Sequence, residues 1–181
     1  MAPANELLRQ ARVWPGESPQ RPVSCYDDVV DLAPGQYTLT VEPLSGQTGS
    51  YKMELMVIPE PDEFDLGVLA AASPVIVEPG VPGVGAGVIE TAFSEDRYQF
   101  SVDGAVELAV NQYSFCGTYP YSYRKWQLFD DATGNLVASR TACYDKVVAL
   151  GSGQYTLTVE PLYGYTGSYK MELMVASGNS G

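Results

Sequence analysis

Histidine is absent from this 181-residue chain. Its absence removes the usual general base, the side chain that changes charge near neutral pH, and the commonest metal ligand. Basic residues are scarce: 10 Lys and Arg stand against 22 Asp and Glu, a net charge of −12. A field of that sign repels phosphate backbones and anionic headgroups, so no nucleic-acid partner is expected and solubility is the plain reading of the charge. Long apolar runs are missing too. The longest apolar-leaning stretch, residues 66–88, is broken by Pro74, Pro79 and Pro82. A membrane helix needs ~20 unbroken apolar residues, so no direct membrane insertion is expected. Residues 1–5 have neither the basic start nor the apolar core of a signal peptide, which places any export signal outside this stretch. No nucleophile elbow, phosphate loop or metal-ligand spacing occurs. Gly83, Gly85 and Gly87 alternate with other residues, but no strand-then-helix pattern surrounds them, so a phosphate cradle is not expected. Paired carboxylates cleave glycosides, yet an acidic chain offers such pairs by chance. No catalytic residue and no enzyme activity are expected.

What the chain has is one stretch written twice. Residues 25–57 recur at 143–175, an offset of 118 (143 − 25), and differ only at Asp28/Lys146, Asp31/Ala149, Ala33/Gly151, Pro34/Ser152, Ser45/Tyr163 and Gln47/Tyr165. A 118-residue period is domain-sized, so the chain holds one unit and about half of another. The apolar share of 45% is enough for a core, and 13 Tyr with 18 Gly favour strands and turns over helices.

Residues 1–58 read as the C-terminal half of a repeat. The 118-residue register sets Leu8 on Trp126 and Gln10 on Leu128, which makes residues 6–13 a diverged strand. Tyr37, Leu39 and Val41 alternate with Thr38, Thr40 and Glu42, and Tyr51, Met53, Leu55 and Val57 alternate likewise. Two such strands around a Gly-containing loop are expected to form an antiparallel hairpin. Residues 59–87, rich in Pro and Gly, read as a linker leading into the next module. Residues 88–176 carry about eight short alternating segments (88–93, 97–102, 106–113, 123–129, 136–140, 146–150, 154–160 and 168–175), which predict a complete module. Residues 177–181 read as a flexible tail. The expected fold is all-β, an antiparallel two-sheet β-sandwich of jelly-roll type.

The run Phe64-Asp65-Leu66-Gly67, Gly87-Val88-Ile89-Glu90, Asp96-Arg97-Tyr98-Gln99-Phe100, Trp126-Gln127-Leu128-Phe129-Asp130 and Gly153-Gln154-Tyr155-Thr156-Leu157-Thr158-Val159 resembles bacterial pre-peptidase C-terminal-type domains. It is equally similar to tandem repeats of large bacterial surface proteins. The resemblance covers roughly residues 64–175 and implies a non-catalytic, extracellular β-sandwich. The three cysteines and the Tyr-rich segment 113–123 depart from it.

Cys25 and Cys143 are repeat equivalents, while Cys116 has no second copy. The economical reading is a Cys116–Cys143 disulfide inside the complete module, leaving Cys25 unpaired or intermolecular; three reduced thiols are the alternative, and a metal site is disfavoured. Tyr113, Tyr119, Tyr121 and Tyr123, with Tyr163 and Tyr165, form a candidate surface for a polysaccharide or a protein partner. The plainer reading, that these rings cover an end of the sandwich, is preferred. No cofactor is expected; calcium is considered at Asp62, Glu63 and Asp65, at Glu95 and Asp96, and at Asp130, Asp131 and Asn135, where a hairpin turn explains the residues as well. The expected function is that of a structural repeat module of an extracellular, cell-surface or filament protein. Its partners would be neighbouring repeats or other copies, one of which completes the half-module at 1–58. The alternative is a carbohydrate-binding or targeting appendage of a secreted hydrolase.

Overall fold

Period-two alternation sets the architecture. A computed structural model describes residues 8–15, 27–30, 32–42, 49–71, 73–113, 124–141, 144–162 and 164–177. The chain divides into two compact units, Met1–Pro59 and Glu60–Gly181. Every regular element among the described residues is a strand.

The first unit holds β1 (Leu8–Pro15), β2 (Asp27–Val29) and β3 (Tyr51–Val57), in the order β2-β1-β3. The second holds β4 (Asp62–Val68), β5 (Val75–Val77), β6 (Val88–Ile89), β7 (Asp96–Val102), β8 (Val106–Gln112), β9 (Arg124–Asp130), β10 (Asn135–Thr141), β11 (Lys146–Leu150), β12 (Gly153–Pro161), β13 (Gly167–Ser168) and β14 (Met171–Ser177). These form a five-stranded sheet, β10-β9-β12-β7-β4, and a four-stranded sheet, β11-β8-β14-β5, with a short β13-β6 pair. All pairs in the unit are antiparallel except β4 with β7, which is parallel.

Each central strand turns alternate residues inward. Tyr98, Phe100 and Val102 of β7, Trp126 and Leu128 of β9, Tyr155, Leu157 and Val159 of β12, Leu108 and Val110 of β8, and Met171, Leu173 and Val175 of β14 make one buried cluster. Complete burial of a side chain of this kind contributes roughly 1.5–3 kcal/mol. The strand β12 lies at the centre, with Leu157 opposite Leu128 on one side and Tyr98 on the other.

Three local readings of the sequence are corrected. The segments 37–42 and 51–57 do not form the expected hairpin: residues 36–42 belong to no strand and β3 pairs with β1, while their repeat counterparts β12 and β14 lie in different sheets. Alternation gives each strand one apolar face, and that face packs equally well across a sandwich. Residues 59–87 are not only a linker, for they supply β4 and β5. Phe64 stacks on Tyr98 at 5.1 Å, and Leu69 and Val77 are buried, so the apolar residues override the Pro and Gly content.

The third correction concerns the first unit. Its strand β1 does not take the place of β9. Ala11 faces Leu55 and Asp28, as Val110 faces their repeat equivalents Leu173 and Lys146. Val13 faces Met53 as Gln112 faces Met171. Thus β2-β1-β3 repeats the register of β11-β8-β14, and β1 stands where β8 stands. Residues 36–42, which repeat β12, belong to no strand. Tyr37, Leu39 and Val41 are 56%, 54% and 41% exposed, against 6%, 0% and 2% for Tyr155, Leu157 and Val159.

Candidate functional site

The alternation of β7 puts a carboxylate where an apolar residue would fit. Asp96 takes the first inward position of the strand and is fully buried. Its Oδ2 accepts hydrogen bonds from the hydroxyls of Tyr98, at 3.1 Å, and of Tyr169. The two phenol oxygens are 2.7 Å apart, and the backbone N–H of Gly87 donates to Tyr98 at 3.1 Å. The second oxygen, Oδ1, is buried and has no hydrogen-bond partner.

Two further carboxylates converge on it. Asp62 opens β4 and lies opposite Asp96 in the parallel register. Glu90 follows β6. One oxygen from each of Asp62, Glu90 and Asp96 lies within 4.8 Å of the others. The glycine run supplies the close fit. Gly85 has φ +94°, and a Cβ there would lie 2.4 Å from Asp62 Oδ2; Gly87 has φ +72°, and a Cβ there would lie 2.4 Å from the Glu78 carbonyl carbon. Only glycine carries the backbone this close in these conformations.

Burial pushes the Asp96 carboxyl up to about 6, against the opposing hydrogen bonds from Tyr169 and Tyr98, and the charges of Glu90 and Asp62 push the same way. Burial also raises both phenols, Tyr98 and Tyr169. Burial lowers Arg124, whose guanidinium lies 5.6 Å over the Tyr169 ring and whose buried Nε has no hydrogen-bond partner. A buried carboxylate beside two others is relieved in one of two ways, by a proton on Asp96 or by a divalent cation. The donors are hard oxygens, the kind calcium takes as ligands.

The structure regroups the residues considered for calcium. Asp62 and Asp96 come together with Glu90, which the sequence did not single out because it is local to neither. Glu63 and Glu95 face Arg97 instead, at 3.6 and 2.7 Å. Asp65 Oδ1 accepts from the Gly67 N–H at 2.8 Å. Asp130 Oδ1 accepts from the N–H groups of Ala132 and Thr133, and Asp131 Oδ1 from Thr156 Oγ1. With Gly134 at φ +69° before Asn135, this is the β9–β10 hairpin turn.

Of the candidate tyrosines, Tyr113 follows β8 and donates its hydroxyl to Glu172, while Tyr165 lies in the turn before β13. Tyr119, Tyr121, Tyr123 and Tyr163 lie outside the described residues, as do Cys25, Cys116 and Cys143. The outer face of the five-stranded sheet forms a shallow polar trough of about 380 Å³, lined by Arg97, Gln99, Gln127, Phe129, Thr158 and Glu160 among others.

The second unit is thus an all-β, two-sheet sandwich with an acidic cluster where β4 and β7 begin, in which Asp96 is buried and Asp62 and Glu90 are solvent-accessible. No family model matches the chain, and no curated protein matches it. Among solved structures, the chain is similar to PliG of Aeromonas hydrophila, a periplasmic inhibitor of g-type lysozyme, at 11% identity and TM-score 0.46, covering 65% of this chain and 100% of that one. It is also similar to the pre-peptidase C-terminal domain of a Bacillus anthracis collagenase, at 18% identity and TM-score 0.40, covering 65% of this chain and 95% of that one.

Proposed function

We propose that the chain is a structural, non-enzymatic repeat module of an extracellular or cell-surface protein, one that associates through its incomplete first unit. One observation carries this reading. Residues 35–44 and 153–162 are identical, yet the second copy is a buried central strand while residues 35–42 of the first are exposed. An extended segment that is one-half apolar and unpaired is an association site. Among the described residues the first unit has the counterpart of the β11-β8-β14 sheet and none of the sheet in which β12 is central. Within this reading, Cys116 and Cys143 form the module's disulfide and Cys25 is left for another chain. Labelling of intact source cells with an antibody against the sandwich tests the location, and staining only after lysis counts against it. Non-reducing peptide mapping tests the pairing, and a Cys25–Cys143 link overturns it.

The trough on the five-stranded sheet favours a second reading, a carbohydrate-binding appendage of a secreted hydrolase. Gln99, Gln127, Thr156 and Phe129 line the trough together, and Phe129 offers an aromatic face suited to a sugar ring. Polysaccharide pull-down that is lost with Phe129→Ala supports it; pull-down unchanged by that substitution removes it.

A further inference from the structure

We propose that residues 36–42 of two copies of this chain pair antiparallel about a two-fold axis at Leu39, each copy supplying the strand that β9 supplies to β12. This names the partner for the open segment and rests on the reading of residues 1–58 as a half-module.

The chain order comes first. In the second unit, β9 and β10 lie between β8 and β11, inside residues 113–145. In the first unit only residues 16–26 separate β1 from β2, the counterparts of β8 and β11. That interval is shorter than the stretch 124–141 that β9 and β10 alone occupy. A counterpart of the whole β9–β10 hairpin is too long for that interval, and among the described residues no strand lies beside 36–42.

The segment itself has the residues β9 presents. In the sandwich, β9 sets Leu128 opposite Leu157 and Trp126 opposite Val159. Antiparallel pairing of two 36–42 segments centred on Leu39 sets Leu39 opposite Leu39 and Tyr37 opposite Val41. The counterparts of Leu157 and Val159 therefore meet a leucine and an aromatic ring, as they do in the complete module. On the other face Thr38 meets Thr40, and Gln36 meets Glu42, so no two like charges face each other. Aromatic–β-branched and Thr–Thr pairs are among the favourable cross-strand neighbours. Gly35 and Pro43 bound the window, and Pro43 has no N–H to extend the ladder.

The corner leading into the strand is already formed. Tyr37 donates its hydroxyl to the Ala33 carbonyl, as Tyr155 donates to Gly151. Each ring also lies over its own glycine, Gly35 or Gly153. The two-fold makes the contact isologous and closed, so it yields a dimer rather than an open fibre.

Sedimentation of the full chain at about 1–100 µM tests the pairing, a range that brackets micromolar association. The expected result is a reversible dimer that is lost in Leu39→Asp, where two carboxylates would face each other on the axis. Leu39 is exposed in the single chain, so the melt of the sandwich is expected to be unchanged in this variant. In a second variant, Leu39→Cys, oxidation is expected to give a 39–39 cross-linked peptide. A wild type that stays monomeric, a dimer that survives Leu39→Asp, or cross-links that avoid position 39 would overturn the proposal. Association that survives Leu39→Asp would still leave the half-module reading standing.

Discussion

Asp96 decides more than its neighbours because it is buried without full compensation. Its carboxyl is raised to about 6 in the fold, from 3.8. A group whose folded value lies above its unfolded one binds more protons when folded. Its stabilising contribution is therefore complete below the unfolded value and lost as pH rises through about 6. With EDTA present, the melting temperature is expected to fall between pH 4.5 and 7, and Asp96→Asn is expected to flatten that slope; thermal melts across the range check it. A divalent cation on Asp62, Glu90 and Asp96 would offset the same charge. Millimolar calcium at pH 7 is expected to restore stability to the wild type but not to Asp62→Asn or Glu90→Gln, and calorimetry with calcium against magnesium checks this. Gly87 is the other residue without an alternative. Its Cβ would overlap the Glu78 backbone at positive φ, so Gly87→Ala is expected to cost roughly 1–3 kcal/mol by denaturant titration. The Asp-x-Tyr-x-Phe run marked β7 in the sequence. That Tyr169, 73 positions after Asp96, shares its oxygen was not legible, since no local pattern links them.

Among the elements, β12 and residues 36–42 make a controlled comparison, because one sequence stands in two environments. The Tyr hydroxyl bond four residues back forms in both copies. It is short-range and needs nothing beyond its own turn. Strand pairing forms only where β7 and β9 flank the segment. Removing the same leucine should thus have two different effects on the sandwich. Leu157→Ala is expected to cost ~2–5 kcal/mol, since Leu157 is fully buried between two sheets. Leu39→Ala is expected to stay within ~0.5 kcal/mol, as exposed substitutions do. Parallel urea titrations of the two variants check the contrast, and equal losses would contradict the assigned burial. Alternation identified the inward faces of β7, β8 and β9, at Tyr98, Phe100 and Val102, at Leu108 and Val110, and at Trp126 and Leu128. It could not assign sheets, because a strand facing the core looks the same from either side. The expected hairpin of residues 37–42 with 51–57 fails on this point, since their counterparts β12 and β14 lie in different sheets.

For the molecule as a whole, the acidic balance, the absence of histidine and the stretch written twice bound the range of functions. The proposed Cys116–Cys143 disulfide closes a long loop within the sandwich, and reduction is expected to lower stability by roughly 3 kcal/mol. Melts with and without reductant check it, and Cys143→Ser should reproduce the reduced value. The sequence alone determined that the fold is all-β and which residues of β7, β8 and β9 face inward. Those properties follow from period-two alternation and from turn residues, both local in the chain. The tertiary structure alone decided that β4 and β5 belong to the sandwich. It also set β1 in the place of β8, and it gathered Asp62, Glu90 and Asp96 at one point. Each of these depends on contacts between distant segments, and one sequence is a core strand at 153–160 and an exposed segment outside any strand at 35–42.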